Sequence, residues 1–132
     1  MMAFRLVIVS PRGCYFDQKV DSLTIKLTSG YRTILSHHAP LIGAIGYAPM
    51  HILKDGKTIY YALHGGAINV TNEKVTLMVN AIEREDEIDL ERAKRAKQRA
   101  EERLKSKADG IDIKRAQLAL YRALSRIETK KY

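Results

Sequence analysis

Two periodicities within 132 residues predict an α+β chain of two domains: an N-terminal all-β sandwich of about 8–10 strands, then a C-terminal antiparallel α-helical hairpin. Three observations carry the prediction. Up to Ile82, short runs rich in Val, Ile, Thr and Tyr are parted by turn residues, with no helical spacing among them. From Glu83 onward the apolar residues recur at helical intervals instead. Charge changes at the same place: residues 1–82 hold 12 charged side chains, whereas residues 83–132 hold 26, of which 15 are basic and 11 acidic. The expected division is a sandwich over residues 1–84 and a hairpin over residues 85–132, one full core plus an appendage.

Residues 4–9 form the first predicted strand, stopped by Ser10-Pro11-Arg12-Gly13, where proline lacks a donor and glycine opens the turn. Residues 20–27 alternate apolar and polar side chains, as a strand with one wet face should. Asp55-Gly56 between residues 50–53 and 58–63 is a strong hairpin signal. A further turn at residues 71–74 joins a strand at 67–70 to one at 75–79. Strands at intervals of about 8 to 12 residues indicate a sandwich or barrel.

The helical part opens twice on one six-residue pattern, Ile88-Asp89-Leu90-Glu91-Arg92-Ala93 and Ile111-Asp112-Ile113-Lys114-Arg115-Ala116. Each copy gives an apolar residue, an Asp where a helix cap belongs, then Arg one turn in with Ala beside it. Lys107-Ala108-Asp109-Gly110 supplies the turn between the helices. Glu85, Asp86 and Glu87 suit the positive end of the first helix, and Glu91 with Arg95 and Glu101 with Lys105 are expected i,i+4 pairs.

The arginines give the hairpin a chemistry. On a helical wheel Asp89, Arg92 and Arg99 share an arc of roughly 80°, beside a seam of Ala93, Ala96, Ala100 and Leu104. Arg115, Arg122 and Arg126 lie within about 40° of one another, beside a seam of Ile113, Ala116, Leu120, Ala123 and Ile127. With the seams packed together, the arginine stripes meet along one edge. Like charges so placed repel by roughly 1 kcal/mol per close pair in water, so the packed hairpin gains from an anion. A polyphosphate fits, because guanidinium groups bind phosphate bidentately. The alternative is a solvated basic face with no ligand, and the repeated motif weighs against it.

Other chemistries find little support. Cys14 is the one cysteine, which excludes an internal disulfide and suits a reducing compartment; a buried or half-buried structural thiol is expected. His37 and His38 are adjacent, so in a strand they would face opposite ways, and no carboxylate or Cys stands at metal-ligand spacing around them. His51 and His64 are expected as satisfied structural residues in strands, and Gly65-Gly66 as a bulge or close backbone approach. No nucleophile–base pair or carboxylate pair can be assembled, so a non-enzyme without a metal site is expected. No apolar run approaches the ~18 residues that span a bilayer, and no secretion signal opens the chain, which predicts a soluble protein in the cytoplasm. The net charge of +8 permits nucleic-acid contact, yet acids such as Glu101 and Glu102 interleave with the bases.

The segment Leu35-Ser36-His37-His38-Ala39-Pro40-Leu41, the Gly65-Gly66 pair and the two Ile-Asp-x-x-Arg-Ala openings resemble the epsilon subunit of bacterial F-type ATP synthase, in particular the ATP-binding kind of bacilli and relatives. The resemblance covers essentially the whole chain. It implies a non-catalytic subunit of the central stalk of a proton-translocating synthase, peripheral on the cytoplasmic face of the membrane. Its sandwich would contact the gamma subunit and the c-subunit ring, the latter through the loop Ser36, His37, His38, Ala39 and Pro40. Its hairpin would switch between a compact form, favoured by bound ATP, and an extended form that reaches the alpha and beta subunits and blocks ATP hydrolysis. Family positions for ATP fall on Glu83, Ile88, Asp89, Arg92, Ala93, Arg99, Arg122 and Arg126, with Mg²⁺ as a possible companion of the nucleotide and no metal held by the chain itself.

The chain departs from the usual family pattern Gly-x-x-Gly-Ile-Leu-Pro-Gly-His-x-Pro-Leu at Thr33, Ser36 and His37. His64-Gly65-Gly66-Ala67 likewise stands where Ser-Gly-Gly-Phe is common. From charge and shape alone, a rival reading is an RNA-binding module whose basic helical arm lies along phosphates. It predicts exposed aromatics near the basic stripe, and only Tyr121 and Tyr132 are there. The rotor subunit, with no nucleic-acid partner, is the stronger reading.

Overall fold

A computed structural model of the chain describes residues 2–106 and 112–131. Eight strands come first: β1 (Phe4–Ser10), β2 (Gly13–Val20), β3 (Ser22–Leu27), β4 (Gly30–Ile34), β5 (Leu41–Lys54), β6 (Lys57–Val70), β7 (Val75–Val79) and β8 (Ile82–Arg84). A single 3₁₀ turn, Glu85–Glu87, leads to helices α1 (Leu90–Ser106) and α2 (Ile113–Lys130). The expected interhelical turn at residues 107–110 and the first residue of the second motif, Ile111, lie outside the described residues.

The strands form one hydrogen-bonded path in the order β2-β1-β7-β6-β5-β3-β4, with β8 pairing β6 beside β7. All neighbours are antiparallel except β1 and β7, which run parallel. The long β5–β6 hairpin is the spine: β7 takes one half of β6 and β8 the other. Alternation fills the core, with Leu6 and Ile8 of β1, Leu23 and Ile25 of β3, and Ile68 and Leu77 of β6 and β7 fully buried. Burial of such a side chain contributes about 1.5–3 kcal/mol.

Two departures from the sequence reading have clear causes. The stretch 20–27 is split: Val20 ends β2, and the chain turns at Asp21, whose N–H donates to Leu53 O at 2.8 Å, before β3 begins. The runs at 50–53, 58–63 and 67–70 are pieces of two unbroken 14-residue strands. Gly65-Gly66 does not interrupt β6 because Gly66 adopts φ +136°, and a Cβ there would stand 2.1 Å from Met78 O. The close backbone approach expected for this pair is what the structure has. At Asp55-Gly56 both residues have positive φ, 51° and 76°, as a two-residue turn closing Lys54 onto Lys57 requires.

Both helices start where the repeat places them. Asp89 Oδ1 accepts from Arg92 N–H at 3.1 Å, and Asp112 Oδ1 from Arg115 N–H at 3.0 Å. The alanine seams pack face to face: Ala93, Ala100, Ala116 and Ala123 are all buried. Ile113, the first residue of α2, is an exception at 53% exposed. Glu91 pairs with Lys94 at 3.8 Å rather than with Arg95. Cys14 is exposed on the edge strand β2, not buried as expected; an edge strand has one neighbour only, and β2 turns most of its residues to water.

Candidate functional site

The hairpin does more than pair with itself. Buried Ser125 of α2 donates from Oγ to Leu63 O of β6 at 3.2 Å, and fully buried Thr129 sits one turn further on. Thr129 Oγ1 is satisfied within the helix, donating to Ser125 O at 2.7 Å. Two ion pairs flank this contact. Arg126 Nε lies 2.5 Å from Glu83 Oε1, and Lys130 Nζ lies 3.3 Å from Glu85 Oε1. So α2 carries an alanine seam toward α1 and a polar seam toward the sandwich.

A cavity of about 340 Å³ opens where the three parts meet. Strand β8 contributes Glu83 and the connecting segment Glu87 and Asp89; α1 contributes Arg92, Ala93, Ala96 and Arg99; α2 contributes Arg126. Arg92 and Arg99 are seven residues apart in α1, so they stand about 10 Å apart along its axis. Between them the small side chains of Ala93 and Ala96 leave the helix wall open to close approach. The cavity is thus acidic at the start of α1 and basic along it. Among the described residues neither Arg92 nor Arg99 has an ion-pair partner, whereas Arg126 is held by Glu83.

Of the eight sequence-predicted positions, six line this cavity: Glu83, Asp89, Arg92, Ala93, Arg99 and Arg126. Ile88 does not; its side chain is buried, only 4% exposed, and its N–H closes the 3₁₀ turn on Glu85 O at 3.2 Å. Arg122 also lies off the lining, and its charge acts on His64 instead. Glu87 and Ala96 line the cavity but were not among the predicted site residues. Ala96 was legible as a seam residue, while Glu87 reaches the site only because the 3₁₀ turn folds it back.

Electrostatics couple the cavity to the sandwich. The His64 ring and the Arg126 guanidinium hold the Glu83 carboxyl down to about 2, against the opposing effect of burial. Arg126 makes the hydrogen bond; His64 Nε2, at 3.5 Å from the same oxygen, stands at the outer limit of one. Burial pushes the His64 imidazole below its ordinary value, Arg126 and Arg122 act the same way, and Glu83 opposes them. His64 is 1% exposed and neither ring nitrogen has a hydrogen-bond partner, so the expectation of a satisfied structural histidine is corrected.

Residues 3–85 match the model of the family described as ATP synthase, Delta/Epsilon chain, beta-sandwich domain, and residues 86–131 match ATP synthase, Delta/Epsilon chain, long alpha-helix domain. The chain belongs to the ATP synthase delta/epsilon family. It is 44% identical over 103 residues to the ATP synthase epsilon chain of Pelotomaculum thermopropionicum, covering 78% of this chain and 77% of that one. With the epsilon chain of Bacillus thuringiensis it shares 37% over 107 residues, 81% of this chain and 80% of that one. These relatives make it an epsilon-type subunit of the bacterial F-type enzyme, structural and regulatory and not catalytic.

The epsilon fold is shared with a chain of the Euglena gracilis mitochondrial ATP synthase, OSCP/F1/c-ring in rotational state 1, at a TM-score of 0.86 and 19% identity over 98% of this chain and 82% of that one. It is shared also with a chain of the Tetrahymena thermophila mitochondrial ATP synthase central stalk/c-ring, at a TM-score of 0.59 and 12% identity over 98% of this chain and 95% of that one. At these identities the likeness is one of fold. Among the described residues no helix of this epsilon-family chain is long and apolar enough to cross a membrane, and no three metal-ligating side chains converge.

The second predicted site of the epsilon reading, the loop Ser36 to Pro40, is brought together with the β6–β7 turn around a hollow of about 650 Å³. His37 takes φ 65°, and the His38 ring Nδ1 lies 2.6 Å from Ala39 O. The two histidines are in a loop rather than a strand, so their side chains are not opposed across a sheet.

Proposed function

We propose that this chain is the central-stalk epsilon subunit of a bacterial F-type ATP synthase whose hairpin senses ATP. One observation carries the reading. The cavity exists only while the hairpin is docked, because Arg92 and Arg99 come from α1, Arg126 from α2, and Glu83 from the sandwich side of the connection. A ligand that needs all of them binds the docked form alone and shifts the equilibrium toward it. The unpaired Arg92 and Arg99 face the triphosphate, and Arg126 turns from Glu83 toward it. Glu87 and Asp89 sit at the acidic end, where adenine and ribose donors find acceptors. Ile88 supports this end from below and Arg122 adds positive potential.

Mg²⁺, when it accompanies ATP, is held by phosphate oxygens, since the chain offers no converging metal ligands among its described residues. Loss of ATP removes that stabilisation, so the hairpin lifts from the sandwich more often, extends to the alpha and beta subunits and restrains hydrolysis. The sandwich meanwhile stays on the gamma subunit, with the loop at residues 36–40 toward the c-ring, on the cytoplasmic face of the membrane and peripheral to it. Rotation so transmitted couples proton flow to synthesis.

The test is the distance between one label on the sandwich and one on α1 in the full chain, with and without ATP. Compaction on adding ATP supports the proposal. An unchanged distance overturns it, and saturable capture of an RNA oligomer in place of ATP would favour the rival nucleic-acid reading.

A further inference from the structure

Among the described residues His64 is a buried histidine that the ATP-sensing reading leaves idle. Leu63 beside it points into the sandwich core, so strand alternation turns His64 to the opposite face. That face is under α2, whose Ser125 bonds the Leu63 carbonyl. The ring is 1% exposed, and neither nitrogen is hydrogen-bonded. A buried imidazole whose nearest polar contact is one carboxylate oxygen at 3.5 Å, too long for a good hydrogen bond, is costly to the docked state and gains hydration when α2 leaves.

The charged groups around it do not favour a proton. From β8, Glu83 Oε1 stands 3.5 Å from Nε2, but it already accepts from Arg126 at 2.5 Å. From α2, both Arg126 and Arg122 repel a positive ring. From β5 comes only the Tyr47 ring, its centroid 6.1 Å away. A protonated His64 would be a third positive charge beside one engaged carboxylate.

We propose that His64 is a proton-binding site that governs hairpin docking: its ring is neutral beneath α2, and the proton it takes up when α2 lifts away keeps the hairpin off the sandwich. The inference rests on the mobile hairpin proposed above. Its sign follows from linkage. Burial, Arg126 and Arg122 lower the docked imidazole below the 6.5 it regains when exposed. Docking is therefore unaffected by this group well above pH 6.5 and weakens as the pH falls below it, by up to about tenfold in the docked-to-open ratio per pH unit. Glu83, held at about 2 in the docked form, regains its ordinary 4.5 once Arg126 leaves, so it stays almost fully ionised in both forms above about pH 5.5 and adds its own slope, of the same sign, only below that.

The experiment uses the full chain with Cys14→Ser, Asn72→Cys and Lys105→Cys, dye-labelled and followed by energy transfer from pH 8 to pH 5.5 without nucleotide, a range in which Glu83 stays almost fully ionised in either form. We expect the open fraction to rise as the pH falls below about 6.5, and a flat profile in His64→Gln. His64→Ser, checked for folding by circular dichroism, guards against a glutamine that does not fit. Opening that follows pH equally in all three proteins, or that ignores pH in all three, overturns the role of His64 while leaving the mobile hairpin standing. A distance that never changes, at any pH or with ATP, overturns both.

Discussion

Arg126 on α2 and Glu83 on β8 meet at 2.5 Å, and this pair ties the hairpin to the sandwich at the edge of the arginine-lined cavity. The carboxylate does two jobs. It neutralises one of the three cavity arginines, and it keeps the cation in place until a stronger anion arrives.

The pair should hold the docked form without ligand. Arg126→Ala or Glu83→Gln should weaken docking by about 1–2 kcal/mol, and the double mutant should cost less than the sum, because each single change strands the partner. Hydrogen exchange at the α2 amides of the nucleotide-free chain measures this. Fully additive losses would show that the two side chains do not act on each other.

The buried polar seam of α2 should be divisible. Ser125→Ala removes a hydrogen bond across the interface and should cost about 1 kcal/mol of docking. Thr129→Val removes one made inside the helix and should cost about 0.5 kcal/mol or less. The same exchange experiment ranks them, and equal losses would contradict the assignment of Ser125 to the interface.

The sequence displayed the alanine seams, both Asp caps and the arginine stripe because each follows from spacing along a single helix. Ser125, Thr129 and His64 were not legible as an interface. A second buried stripe on α2 is written in polar residues, which a hydrophobic period cannot reveal. Ile88 and Arg122 were placed at the cavity by resemblance, and their distance from its lining depends on the entry angle of α1 and the roll of α2. Neither is encoded in any one segment. The unbroken β5 and β6 were likewise hidden, since glycines that usually end strands here permit close strand approach at Gly66.

Gly66 should be irreplaceable for that reason. Gly66→Ala sets a Cβ 2.1 Å from Met78 O at φ +136°, and should cost about 3 kcal/mol or more in the sandwich. Gly13→Ala, with φ +116° and nothing within 4 Å, should cost only the backbone strain, about 1–2 kcal/mol. Thermal melting compares them. A Gly66 variant that melts no earlier than the Gly13 variant would refute the close-approach argument.

The helix caps give an independent check on the hairpin. Asp89→Ala and Asp112→Ala should each cost about 1 kcal/mol of helix stability, by loss of the bonds to Arg92 and Arg115 N–H. Only the Asp89 change should also alter ATP binding, since Asp89 lines the cavity and Asp112 does not. Circular dichroism and calorimetry together separate the two effects, and equal loss of ATP binding in both variants would place the site elsewhere.

The central claim, that docking assembles an ATP site from arginines of both helices, is tested most directly by calorimetric titration of the full chain with ATP. The expected result is one site per chain, weakened roughly ten- to a hundredfold by either Arg92→Ala or Arg126→Ala, as loss of a charge-assisted contact of about 1.5–3 kcal/mol requires. No heat at millimolar ATP with the hairpin helical, or an affinity unchanged in both variants, would contradict it.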